Sequence, residues 1–122
     1  MAAGRTNLNI EQGATWRRTL SLTDDIGSGI DLTGFTAKMQ VRDDFQGTLY
    51  ICLSTYNGSI TIPNPESGSI YIYLADDDTK NVNIEQGKWD LELYKDLGSS
   101  TETLRLLQGN VRISPEVTLD EC

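Results

Sequence analysis

Apolar residues recur at every second position along this chain, and that period is what most restricts its fold. Leu8 and Ile10, then Trp16, Leu20 and Leu22, then Phe35, Ala37, Met39 and Val41 each alternate with polar neighbours. The pattern continues through Leu49, Ile51 and Leu53; Ile60 and Ile62; Ile70, Ile72 and Leu74; Trp89, Leu91 and Leu93; and Leu104 and Leu106 ahead of Val111 and Ile113. Successive side chains of a strand point to opposite faces, so each run describes a strand with one buried and one wet face. About eight short strands are expected, and nothing long has the 3.6-residue period of a helix.

Turn chemistry separates the runs. Asp24-Asp25-Ile26-Gly27-Ser28-Gly29 holds two glycines that can adopt positive φ, Asn57-Gly58 is a strong hairpin signal, and Pro63-Asn64-Pro65-Glu66-Ser67-Gly68 cannot continue a ladder. Asp96-Leu97-Gly98-Ser99-Ser100 reads as a hairpin between the Trp89 and Leu104 strands, and Gly109 predicts a bulge or bend in the last one. The one helical candidate, 76–82, is a single turn with three aspartates at its positive end, bridging strands of different sheets.

Many short strands with turns between them point to an antiparallel all-β sandwich or barrel, and an immunoglobulin-like β-sandwich of about eight strands fits best. A small oligonucleotide-binding barrel would have five longer strands and a basic, aromatic groove, which this sequence does not offer. The chain of 122 residues is read as one domain, 1–122, with short polar arms at about 1–6 and 114–122. At that length folding buries roughly two thirds of the exposed surface, enough for a core without staples.

Charge and composition remove several functions. Ten Lys and Arg stand against eighteen Asp and Glu, a formal charge of −8, and dispersed cations on an acidic chain argue against nucleic acid. No apolar run approaches the roughly twenty residues that span a bilayer, and the start is polar rather than signal-like, so no membrane partner is expected. Two cysteines, Cys52 and Cys122, are not a framework; a reducing compartment is the simpler inference, with a single bridge left open.

Histidine is absent, which excludes histidine triads, imidazole bases and His-rich metal sites. Cys52, between Ile51 and Leu53 with no imidazole to activate it, reads as a packing residue rather than a nucleophile. Asp24-Asp25, Asp43-Asp44 and Asp76-Asp77-Asp78 lack the frame of a calcium loop, and adjacent aspartates point apart, so solvated loop charge is the better reading. The glycines form no phosphate cradle, and Asn57-Gly58-Ser59 is better a turn than a glycosylation acceptor. No catalytic residue, cofactor or metal is therefore assigned. Asn9-Ile10-Glu11-Gln12-Gly13 recurs as Asn83-Ile84-Glu85-Gln86-Gly87, each ahead of a tryptophan; two copies make no array, and both read as entries to core strands.

Order adds what single motifs do not. Ile10-Glu11-Gln12-Gly13-Ala14-Thr15-Trp16 is followed by Leu20–Asp24, by Gly29-Ile30-Asp31-Leu32-Thr33-Gly34-Phe35 running on to Arg42, by Gly68-Ser69-Ile70 and Leu74–Thr79, by Gly87-Lys88-Trp89-Asp90-Leu91-Glu92-Leu93, and by Leu106–Thr118. This succession, over nearly the whole chain, resembles tailed-bacteriophage virion structural proteins: the immunoglobulin-like N-terminal domain of upper baseplate proteins and small tail or fibre adaptors. Trp89 stands where an aromatic such as tyrosine is more usual. The coiled-coil or receptor-binding extension of larger baseplate members does not follow Thr118, so a stand-alone module using its own faces or ends is expected.

The resemblance implies a non-enzymatic virion protein, made in the bacterial host cytoplasm, that acts in the tail, baseplate or fibre attachment by contacts with itself and other virion proteins. A carbohydrate- or receptor-binding fibre tip and a head-decoration or neck protein are the alternatives. Edge-strand addition and arm exchange are the cheap physical routes to such contacts. Independently of the resemblance, Asp31 and Thr33 can bond the backbone around a turn whose Gly34 takes an unusual φ, and Gly87 frees the entry to its strand. Trp16, Phe35, Trp89 and Leu91 are the expected core, Asp90, Glu92 and Lys95 are expected to face water, and Tyr71 and Tyr73, sharing one face, are the candidate interface.

Overall fold

A computed structural model describes residues 4–24 and 26–119. Among these residues nine strands form two sheets: β1 (Gly4–Arg5), β2 (Leu8–Glu11), β3 (Trp16–Ser21), β4 (Thr36–Arg42), β5 (Leu49–Ser54), β6 (Ile60–Thr61), β7 (Ser69–Leu74), β8 (Gln86–Asp96) and β9 (Thr101–Ser114). One helical turn, α1 (Asp76–Thr79), carries the chain from β7 in one sheet to β8 in the other.

The larger sheet has the order β1-β9-β8-β4-β5, with β2 also on β9, and the smaller is β3-β7-β6. This is immunoglobulin-like connectivity, the third, seventh and sixth strands facing the rest. The alternation read from sequence sets the inner faces: Ile10, Met39, Val41, Ile70, Ile72 and Leu91 are completely buried. Leu8, Leu53, Ile60, Leu93, Val111 and Ile113 belong to the same core.

The N-terminal segment departs from the expected arm. Gly4 and Arg5 pair with Leu107 and Gln108, Thr6 N–H bonds Gln108 O at 3.0 Å, and Leu8–Glu11 pair with Val111–Ser114, all parallel to β9. The sequence alternates there too, but alternation does not say which strand lies alongside or in which direction. Residues 1–3 and 120–122, Cys122 included, lie outside the described residues.

Three turn readings change. Asn57-Gly58 does not close a hairpin: β5 pairs with β4 and β6 with β7, so the turn crosses between sheets. The Asn57 carboxamide instead lies along the open side of β5, accepting from Ser54 N–H at 3.1 Å and donating to Cys52 O at 3.2 Å. The register shift in β9 falls at Leu106, between the pairs Leu91↔Leu107 and Glu92↔Arg105, rather than at Gly109. Gly29 does not adopt the positive φ that Gly27 does; it is needed because a Cβ would strike Ser67 O.

Two expected core residues are also displaced. Trp16 and Phe35 are half-buried and packed against the cluster from its margin, Trp16 as the first residue of β3 and Phe35 just ahead of β4. Trp89 and Leu91 are buried. Lys95, expected to face water, lies along Gly34 and brings its ammonium 5.3 Å from the centre of the Phe35 ring. Cys52 is exposed on the outer face of β5, not packed, with Gln40 Nε2 at 3.8 Å from its sulfur.

Candidate interaction surface

Strand alternation that buries one face of the larger sheet turns the other outward as rows of polar side chains. Across β4, β8 and β9 the register aligns Arg42–Lys88–Asn110, Gln40–Asp90–Gln108 and Lys38–Glu92–Arg105. Leu106, the extra residue, is what returns Arg105 to this outer row while Leu107 turns toward the core. The rows floor a groove of about 490 Å³, closed at one side by Arg5 and at the other by the 43–48 loop.

That loop is tightly tied. Asp43 Oδ1 accepts from Thr48 N–H at 2.8 Å, Asp43 N–H donates to Thr48 O at 3.2 Å, and Arg42 Nη1 donates to Gly47 O at 2.7 Å. Gln46 takes φ 56°, uncommon for a residue with a Cβ, and Phe45 is left 76% exposed. The Lys88 ammonium stands 5.5 Å from the centre of the Phe45 ring, so an exposed aromatic is held as a wall of the groove.

Charges inside the groove act on one another. Burial, then the neighbouring Glu92 carboxylate, raises the Asp90 pKa above the ordinary aspartate range, opposed by Arg105 and Arg42. Arg105 Nε lies 3.5 Å from Asp90 Oδ2. Tyr94 donates to Glu92 Oε2 at 2.8 Å, and burial together with that bond pushes its phenol up to about 12.

The other residues singled out from sequence lie elsewhere. Asp31 Oδ1 accepts from Thr33 Oγ1–H at 2.6 Å and from Thr33 N–H at 3.0 Å, and Gly34 follows at φ 84°. Those bonds, chiefly the hydroxyl, lower the Asp31 pKa, with Lys95 adding to the effect. Gly87 is not at positive φ; a Cβ there would lie 2.5 Å from Arg42 O, so close approach of β4 is its reason. Tyr71 and Tyr73 share the outer face of the smaller sheet, Tyr71 half-buried and Tyr73 beneath the Arg17 guanidinium at 5.3 Å.

Sequence reasoning missed the groove because its members are spread over β1, β4, β8, β9 and a loop. The available signal was the phase of the charges: Arg42, Lys88, Asp90 and Glu92 all fall between core positions of their strands. Among the described residues no group of three or more His, Cys, Asp or Glu could hold a metal, and no helix is long and apolar enough to cross a membrane.

The echoed motif has two different uses. In the first copy Gln12 Nε2 donates to Val82 O at 3.0 Å and Lys80 O at 3.2 Å, its Oε1 accepts from Glu116 N–H at 3.0 Å, and Gly13 turns at φ 83°. In the second, Gln86 and Gly87 begin β8.

No protein-family model and no curated protein matches the chain. Among solved structures 220 chains match. One is the N-terminal domain of phage TP901-1 ORF48, at TM-score 0.57 and 8% identity, covering 93% of this chain and 99% of that domain. At that identity the two have their fold in common, and the chain is an immunoglobulin-like β-sandwich of the kind found in that phage protein.

Proposed function

We propose that this protein is a non-enzymatic structural component of a tailed-bacteriophage virion, working in the tail, baseplate or fibre attachment through protein–protein contacts. The observation that carries the reading is the shared fold with the N-terminal domain of phage TP901-1 ORF48 over nearly the full length of both. It is supported by a groove that brings Arg5, Arg42 and Arg105 beside the exposed Phe45, residue types enriched in contact surfaces. Partners are then other virion proteins and further copies of the chain, and the location is the particle, after synthesis in the bacterial cytoplasm.

A sugar-binding fibre tip has less support. A stacking platform needs aromatic faces grouped on one surface, whereas Tyr73 lies beneath Arg17, Tyr71 is half-buried, and the fully exposed Tyr56 stands apart from them on the turn between β5 and β6.

The test is mass spectrometry of purified particles followed by gold-labelled antibody against the chain. Label at the tail end away from the head is expected. Label on the head or at its junction with the tail would move the protein to decoration or neck, and its absence from particles would overturn the reading.

A further inference from the structure

An asparagine carboxamide is an electrophile within reach of the backbone nitrogen of the residue that follows it. Attack of that nitrogen on Cγ closes a five-membered ring, an intramolecular reaction whose main obstacle is the side chain of the following residue. The chain has seven asparagines. Asn7, Asn9, Asn81, Asn83 and Asn110 precede leucine, isoleucine or valine, and Asn64 precedes Pro65, which has no N–H. Asn57 alone is followed by glycine, which removes the obstacle.

The structure leaves the nucleophile open and organises the electrophile. Asn57 and Gly58 are exposed, and nothing lies within 4 Å of where a Gly58 Cβ would stand. Gly58 N–H has no hydrogen-bond partner among the described residues, so no such bond must break before it reacts. Asn57 Oδ1 accepts from Ser54 N–H at 3.1 Å and from Ser59 N–H at 3.0 Å. Two backbone donors on that oxygen polarise the carbonyl and stabilise the charge it takes up in a tetrahedral intermediate, as an oxyanion hole does. The Ser59 bond also folds the carboxamide back over the Gly58 peptide.

We propose that Asn57-Gly58 is a self-modification site at which the Gly58 nitrogen displaces the Asn57 carboxamide nitrogen. Gly58 N gives its proton to water or hydroxide and bonds to Asn57 Cγ. The Cγ–Nδ2 bond breaks, and Nδ2 leaves as ammonia with a proton from water. Water then opens the cyclic imide at either carbonyl, leaving aspartate or isoaspartate at position 57. One water is consumed and one ammonia released, and no other reactant is needed.

The product changes the edge of β5. Asn57 Nδ2 donates to Cys52 O at 3.2 Å, and a carboxylate has no proton to offer there. That carbonyl, on the open side of the strand, loses its partner and gains a negative neighbour, so the edge changes slowly and in one direction with time and pH. The inference does not depend on a virion location.

The full chain, kept reduced, is incubated at neutral and at mildly alkaline pH, and peptide mass mapping with isoaspartate-specific methylation follows each asparagine. Conversion at Asn57 should exceed that at every other asparagine by about tenfold or more, since ring closure is unobstructed there alone. It should quicken with pH, because the attacking nitrogen must lose its proton, and stop in Asn57→Gln, whose longer side chain cannot close the same ring. The chain unfolded in urea gives the reference, and a folded rate within about tenfold of it, or above it, is expected from the donors on Oδ1. The converted chain, separated by anion exchange on its added charge, should unfold at lower urea concentration than the starting material. An intact Asn57, conversion spread evenly over the asparagines, or a folded rate more than about tenfold below the unfolded one would overturn the proposal, the last by showing that the hydrogen bonds hold the carboxamide away from Gly58. An unchanged urea midpoint would overturn the effect on β5.

Discussion

The indole N–H of Trp89 donates to the backbone carbonyl of Thr6 at 2.8 Å, across Gly109, its partner on the neighbouring strand. The largest core side chain thus fastens the N-terminal strand to the sheet where β1 gives way to β2. The bond is available because Gly109 has no side chain: a Cβ there would collide with Thr6 O and stand 3.1 Å from Trp89 Nε1.

Gly109→Ala should therefore act on the N-terminal strand rather than on β9. A loss of about 1–3 kcal/mol is expected from the forced displacement, and Trp89→Phe should cost a comparable ~1–3 kcal/mol by stranding the Thr6 carbonyl. Urea unfolding measures both, and amide exchange should quicken selectively at residues 4–11. Unchanged exchange there would show that the indole bond does not hold the strand.

Asn57 closes the exposed side of β5 with a side chain in place of a strand. Asn57→Ala in a Cys52→Ser background should lower stability by about 1–2 kcal/mol through the lost bonds. It should also add slow, salt-insensitive self-association visible in light scattering, because Ser54 N–H and Cys52 O are freed for another edge.

Thr79 is a buried polar residue whose hydroxyl joins Gly13 to the α1 turn. Thr79→Val keeps the volume and leaves Gly13 N–H and Ala14 O without that partner, so about 1–3 kcal/mol should be lost in thermal or urea unfolding. A neutral result would mean that water replaces the hydroxyl without cost.

Asp31 and Asp90 should give pH dependences of opposite sign. The folded pKa of Asp31 is lowered by Thr33, so its stabilisation is present above the unfolded value near about 4 and is lost as pH falls through the folded value. Asp90 is raised, chiefly by burial, so the folded state binds its proton more tightly and acidification relieves a penalty present at neutral pH. Stability measured from neutral to acid pH should show Asp31→Asn removing an acid-labile contribution. Asp90→Asn should be harmless or stabilising at neutral pH, with its difference from wild type shrinking as the carboxyl protonates.

Legibility from sequence followed the range of the interaction. The Asp31-Leu32-Thr33-Gly34 turn, the hairpin at Asp96–Ser100 and the α1 turn are each specified within a few residues, so propensity and turn chemistry reveal them. Asn57 misled because the same residue that favours a hairpin also supplies a carboxamide that can mimic a strand edge. Gly87 misled because closeness of Arg42, forty-five positions away in sequence, rather than φ, excludes a side chain there.

Alternation of apolar residues by itself determined that this chain makes strands and which face of each is buried, and hence that those faces must close over a shared apolar layer, as in a sandwich or a barrel. Pairing was decided only in the tertiary structure. The parallel seating of β1 and β2 on β9, the crossing of 55–59 between sheets, and the alignment of Arg42, Lys88, Asp90 and Arg105 into one groove depend on contacts between residues far apart in the chain. Those contacts are chosen by packing and backbone hydrogen bonding of the whole sandwich, which a local pattern does not encode.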